Sequence, residues 1–167
     1  MTGTREEFLD RYRETAPALY GYLWKACAGE RERVEDLLQE TYAVAITVWQ
    51  RGRPDDVVLP WLLTVARNKL IDAYRREERE ARKLARLGSP VDVTDPFGGA
   101  ASEHVFAAIR SLPPLQRAVI TLRFVDDLSL AETARLLGKR VAAIDSLQRR
   151  ALQALREILR EDDDDDR

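Results

Sequence analysis

Residues 61–76, Trp-Leu-Leu-Thr-Val-Ala-Arg-Asn-Lys-Leu-Ile-Asp-Ala-Tyr-Arg-Arg, contain no glycine and no proline. Leu62, Val65, Ala66, Leu70 and Ala73 recur at helical spacing, so the run predicts one amphipathic helix. Thr64, Asn68, Asp72 and Arg75 follow at steps of four, four and three and share another face of it. That face leads into Arg75, Arg76, Arg79, Arg82, Lys83 and Arg86. An amide and a hydroxyl that can read a base edge thus stand beside cations that attract phosphates. The plainer alternative is a solvated charged face.

Hydrophobic residues make up 45% of the chain and charged residues 34%. With few Gly and Pro, that balance predicts an all-helical protein. No run approaches the length of a membrane span, and Arg5, Glu6 and Glu7 interrupt any signal-peptide core, which predicts a cytoplasmic protein without membrane insertion. Cys27 is the only cysteine and His104 the only histidine, so an internal disulfide is excluded and a Cys/His zinc site is not expected. Cys27 sits among Trp24, Ala26 and Ala28, where a buried thiol is the expected outcome rather than a nucleophile. No glycine-rich phosphate loop is present. These points predict a protein that needs no metal or cofactor.

The net charge of −2 conceals an uneven distribution. Residues 161–167 hold six acids and one arginine; setting them apart leaves 26 basic against 23 acidic residues. Residues 67–86 alone carry eight basic and four acidic side chains, a local excess suited to nucleic acid.

From the N-terminus, residues 5–28 read as helical, with Pro17 opening a second segment after Thr15. Phe8, Leu9, Tyr12, Leu19, Tyr20, Leu23 and Trp24 supply the apolar stripe, and Gly29 ends it. The next helix spans about 30–51, with Val34, Leu38, Tyr42, Ala45 and Trp49 facing inward. Asp36, Gln39, Glu40 and Ala43 form a separate acidic stripe, flat at Ala43, that suits docking to a basic partner; a solvated face is the alternative. Residues 50–60 carry Gly52, Pro54 and Pro60 and read as a loop.

Residues 87–102 have no period and are rich in Gly, Pro and Ser, which predicts a flexible linker between two small helical domains. The expected boundaries are 1–86, a linker at 87–103, 104–160, and an acidic tail at 161–167. In the second domain Pro114 fits a helix start and Asp126-Asp127 a turn. Ser129 with Glu132 forms a capping box, and Gly138 closes the short helix that follows. A further helix then runs from about 141 to 160. A capped short helix, a glycine turn and a second helix form a helix-turn-helix signature. It would present Ser146, Arg149 and Arg150, with Lys139 and Arg140 at the approach.

Two separated stretches resemble one family. Glu-Asp-Leu-Leu-Gln-Glu-Thr-Tyr at 35–42, then Trp-Leu-Leu-Thr-Val-Ala-Arg-Asn at 61–68 with Asp72 and Arg75-Arg76, resemble region 2 of the extracytoplasmic-function sigma factors of bacterial RNA polymerase. Leu112-Pro113, Gln116-Arg117, Leu122-Arg123, Leu128-Ser129, Glu132-Thr133-Ala134 and Leu137-Gly138 resemble their region 4. The resemblance implies that Asp36, Gln39 and Glu40 dock on core RNA polymerase. It implies that Trp61, Asn68, Arg75, Arg76 and Arg79 engage the single-stranded −10 element, with one base drawn out of its stack. It implies that Lys139, Arg140, Asp145, Ser146, Arg149 and Arg150 meet the duplex −35 element. An anti-sigma protein is the usual further partner of such factors. In the linker, Asp92 and Asp95 would mimic nucleic-acid charge.

One departure stands out. Members commonly carry Gly-Thr-Val-Lys/Arg-Ser-Arg in the recognition helix, where this chain has Ala-Ala-Ile-Asp-Ser-Leu at 142–147. Asp145 could accept a hydrogen bond from a cytosine amino group, or it could pair with Arg149 or face solvent. Two other functions fit the pattern without the resemblance: a helix-turn-helix regulator of duplex DNA that needs no polymerase, and a helical protein-binding adaptor.

Overall fold

The computed structural model describes residues 3–87 and 101–165. Among them every regular element is helical: α1 Arg5–Ala26, α2 Arg31–Gln50, α3 Leu59–Arg86, α4 Ala101–Ser111, α5 Pro114–Ile120, α6 Leu130–Leu137 and α7 Val141–Asp165. A 3₁₀ turn at Pro54–Asp56 precedes α3, and a π turn at Thr121–Val125 extends α5. The chain divides into two compact units, Met1–Asp72 and Ala73–Arg167. The expected linker aspartates Asp92 and Asp95 lie outside the described residues.

In the first unit Thr4 caps α1 through a capping box with Glu7, a Thr-x-x-Glu signal legible in the sequence but not used above. The expected break at Pro17 does not occur, because α1 passes through it. A proline inside a helix removes one amide bond, but Thr15, Leu19, Leu23 and Ala26 are buried on either side of it. Packing of one stripe on α2 therefore outweighs the lost bond. The tie is specific: the Thr15 hydroxyl reaches the Arg11 carbonyl at 2.7 Å and the Tyr42 hydroxyl at 2.8 Å. The Tyr12 and Tyr42 rings lie 4.6 Å apart between centroids. Residues 27–29 then turn the chain, with Ala28 and Gly29 at positive φ.

Val34, Tyr42, Ala45 and Trp49 of α2 are buried as expected, but Leu38 is only half-buried. Leu37 and Thr41 take the core positions beside them. A stripe wider than the a-and-d seam explains the difference, since Thr41 satisfies its hydroxyl on the Leu37 carbonyl at 2.7 Å and can be buried. In α3, Leu62, Ala66, Leu70 and Ile71 are buried.

In the second unit α7 packs on α4, α5 and α6. Leu112, Ile120 and Ala151 form its centre, with Ile109, Leu152 and Leu155 around them. Pro114 starts α5, as the missing proline amide permits. The capping box Ser129–Glu132 and the left-handed Gly138 are both present at the ends of α6. The expected end of the last helix near 160 is passed, and α7 continues to Asp165. Nothing between 141 and 165 breaks a helix, although acids at a C-terminus oppose the helix dipole.

Burial pushes the Tyr42 hydroxyl above its ordinary value of 10.0, while the bond to Thr15 works the other way. Its contribution to stability is complete below the ordinary value and is lost as pH rises through the raised one. Tyr42→Phe should cost about 1 kcal/mol near neutral pH. That deficit should close in denaturant titrations at strongly alkaline pH, where only the wild type carries the cost of keeping a phenol at position 42 neutral or ionising it. Ser129→Ala should likewise cost about 1 kcal/mol, read as a shift in the thermal midpoint.

Candidate nucleic-acid interface

α3 exposes Thr64, Asn68 and Asp72 while its opposite stripe is buried, so the polar face expected from the spacing is open to solvent over those three positions. The Thr64 hydroxyl bonds back to the Pro60 carbonyl at 3.0 Å, which secures the first turn of the helix. Trp61 is half-buried at that same end. Asn68 keeps its amide on the surface, where both its donor and its acceptor can serve a base edge.

The basic run that follows is not uniform. Arg76 and Arg79 are exposed, and Arg82 lies 3.3 Å from Glu78 one turn back. Arg75 differs from the rest of its face. It is half-buried, and its guanidinium donates to the Leu136 carbonyl near the end of α6. In the same unit Arg117 lies 2.8 Å from Glu77 and 5.3 Å from the centroid of the Tyr74 ring. Tyr74 is itself buried. Of the residues that follow Asp72, Tyr74, Arg75 and Glu77 make contacts within the second unit, while Arg76 and Arg79 are exposed.

On α2 the acidic stripe is open: Asp36, Gln39, Glu40 and Ala43 are all exposed. Glu40 is not isolated, since Lys69 of α3 places its amine 3.6 Å from a Glu40 oxygen. Sequence spacing cannot reveal a pair 29 residues apart on two helices.

The helix-turn-helix presents Arg140, Val141, Ala142 and Ala143 at the start of α7, followed by Arg149 and Arg150, all exposed. Lys139, Asp145 and Ser146 are half-buried. Ile144 and Ala151 anchor the opposite face in the core. Arg123 of the π turn ties this assembly together. It donates to Gln148 of α7 at 2.8 Å and to the Leu128 carbonyl just before α6. Asp127, next to Leu128, adopts φ 55 in the turn. Arg123 was not singled out from sequence, and its only signal there is the Leu122-Arg123 pair; the bulge that aims it leaves no periodic trace.

Asp145 lies 3.0 Å from Arg149, the i, i+4 pairing weighed above. The chemistry of Cys27 is also plain: the thiol is buried at 2% exposure and is in no disulfide. Among the described residues no group of His, Cys, Asp and Glu could hold a metal, and no helix is long and apolar enough to cross a membrane.

Comparison with known proteins falls on the same two blocks. Residues 11–80 match the family described as sigma-70 region 2, and residues 103–155 match sigma-70, region 4. The ECF RNA polymerase sigma factor BldN of Streptomyces coelicolor is 33% identical over 97% of this chain, which spans 64% of BldN's length. The ECF sigma factor SigX of Bacillus subtilis is 30% identical, over 99% of this chain and 90% of its own. The ECF sigma factor RpoE of Cereibacter sphaeroides is 31% identical, over 90% and 84%. The fold also resembles the sigma factor RpoE of Bartonella quintana, solved with the anti-sigma factor NepR. That match has a TM-score of 0.55 and 23% identity, and covers 93% of this chain and 98% of the other.

The pairing of Asp145 with Arg149 sets an expectation for the recognition helix. Asp145→Ala should free Arg149 and raise duplex affinity by about twofold, evenly across sequences, as for an exposed i, i+4 pair. Selection from a randomised duplex library measures it. Loss of preference at a single base position would instead mean that the carboxylate reads a base.

Proposed function

The chain belongs to the extracytoplasmic-function sigma factors of bacterial RNA polymerase, and from that membership we propose how its surfaces divide the work. A sigma factor binds core RNA polymerase and directs promoter-specific initiation. This chain supplies recognition, and the polymerase supplies the chemistry of RNA synthesis. The acidic stripe Asp36, Gln39 and Glu40 docks on a basic surface of the core enzyme. Opposite charge there speeds encounter and fixes register.

Trp61, Asn68, Arg76 and Arg79 engage the −10 element as single strand, and Arg75 joins them once its bond to Leu136 opens. The exposed cations hold phosphates, and the Asn68 amide contacts an unstacked base. The observation that carries this reading is Asn68 itself. It is exposed on a helix whose other stripe is buried, within the region 2 match, and two exposed arginines follow it eight and eleven residues on in the sequence. Lys139, Arg140, Ser146, Arg149 and Arg150 meet the −35 element in the major groove, with α7 as the recognition helix. Asp145 trims the charge of that surface rather than reading a base. Because the Bartonella quintana neighbour is held by an anti-sigma factor, a partner of that class is extended to this chain.

Purified chain added to its cognate core polymerase should yield discrete run-off transcripts from genomic fragments, where core alone starts at random. A duplex-binding regulator that needs no polymerase would yield none. Asn68→Ala should lower open-complex formation about tenfold, in line with loss of one base contact. Its affinity for core polymerase should stay within about twofold of the parent. Asp36→Arg should do the reverse, slowing holoenzyme assembly by about tenfold at low salt with native circular dichroism.

A further inference from the structure

We propose that Lys69 is a further DNA ligand of this chain, a phosphate-binding amine that Glu40 holds until a partner covers the α2 stripe. The inference rests on the reading of Glu40 as a docking residue and of Asn68 as a −10 contact. Lys69 follows Asn68 directly in α3, yet its side chain turns toward α2 and is 32% exposed. Its amine lies 3.6 Å from Glu40, whose own side chain is 49% exposed. One ion pair therefore joins the surface assigned to polymerase with the helix assigned to DNA.

The strength of the pair suits an exchange of partners. At 3.6 Å it is an ion contact beyond ordinary hydrogen-bond range. Half-exposed pairs of this kind shift an equilibrium by roughly two- to fivefold. A basic group arriving on the stripe competes for Glu40 and leaves the Lys69 amine uncompensated. A lysine is a flexible point charge, so the freed amine can swing to a phosphate of the strand that Asn68 contacts. Coupling of this kind is reciprocal. DNA that takes Lys69 releases Glu40 to the docking partner, so assembly and −10 binding favour each other.

A double-mutant cycle on the full chain tests this by fluorescence anisotropy, with a labelled mixed-sequence single-stranded DNA 20-mer as the probe. In the free protein Glu40→Gln should raise affinity roughly two- to fivefold. It should also steepen the dependence of log K on log salt by about 0.7, the release expected for one phosphate contact on a single strand. In the Lys69→Met background the same change should do neither. An equal gain in both backgrounds is a general charge effect and overturns the proposal, as does no gain in either. In holoenzyme Lys69→Met should weaken binding of the same probe, while Glu40→Gln should bring no gain. Unchanged binding by the Lys69→Met holoenzyme also overturns it. Core affinity is measured separately for Glu40→Gln and Asp36→Arg. If both bind core like the parent while the cycle on the free chain holds, the docking reading falls and the Lys69 assignment stands.

Discussion

A helix can bury one stripe only by turning the opposite one outward, and the polar face of α3 depends on that constraint. Leu62, Ala66 and Leu70 are buried. At 100° per residue, Thr64, Asn68 and Asp72 are then carried to the surface with no further determinant. The Asn68 amide, proposed above to contact a base, sits on a helix, not on a loop. Its position is set by the same contacts that hold the first unit together. A substitution that loosens that core would shift the polar face without touching a polar residue.

Electrostatics divides the surface more finely than net charge suggests. In the first unit the acids of α2 face solvent, and one of them, Glu40, meets Lys69 of α3. In the second unit Arg75, Arg117 and Arg123 are half-buried with partners on carbonyl, carboxylate or amide oxygens, while Arg76, Arg79, Arg140, Arg150 and the Asp145-paired Arg149 are exposed. Arginine serves both ends because its planar fork can satisfy several acceptors when half-buried and clasp phosphate when exposed. Type alone therefore does not say which arginines meet nucleic acid.

The helix-turn-helix shows how a departure from a common pattern is absorbed. Ile144 occupies a fully buried position, and Ala151 follows two turns later, so the core side of α7 is intact. The unusual residues, Ala142, Ala143 and Asp145, lie toward the exposed side. Arg123 holds Gln148 and the Leu128 carbonyl, which fixes how α7 stands against the turn before α6. Scaffold and reading face are separable here. The chain can change its contacts at 142–145 while the platform that presents them stays the same.

The helices, both capping signals of α6, the polar face of α3 and the acidic stripe of α2 were legible in the sequence, because each rests on residues within a few turns of one another. Periodicity and caps are local, and local chemistry is written in order along the chain. The sequence was misleading at Pro17, at Leu38 and at the end of α7, where a local signal or its absence was weighed without the packing around it. Only the tertiary structure paired Lys69 with Glu40, Thr15 with Tyr42, Arg75 with Leu136 and Arg123 with Gln148. Those partners lie 25 to 61 residues apart, and no spacing rule reaches across a turn between helices. Burial of the apolar stripes brings them together, and what each charged group can still do for a ligand follows from the partner it meets there.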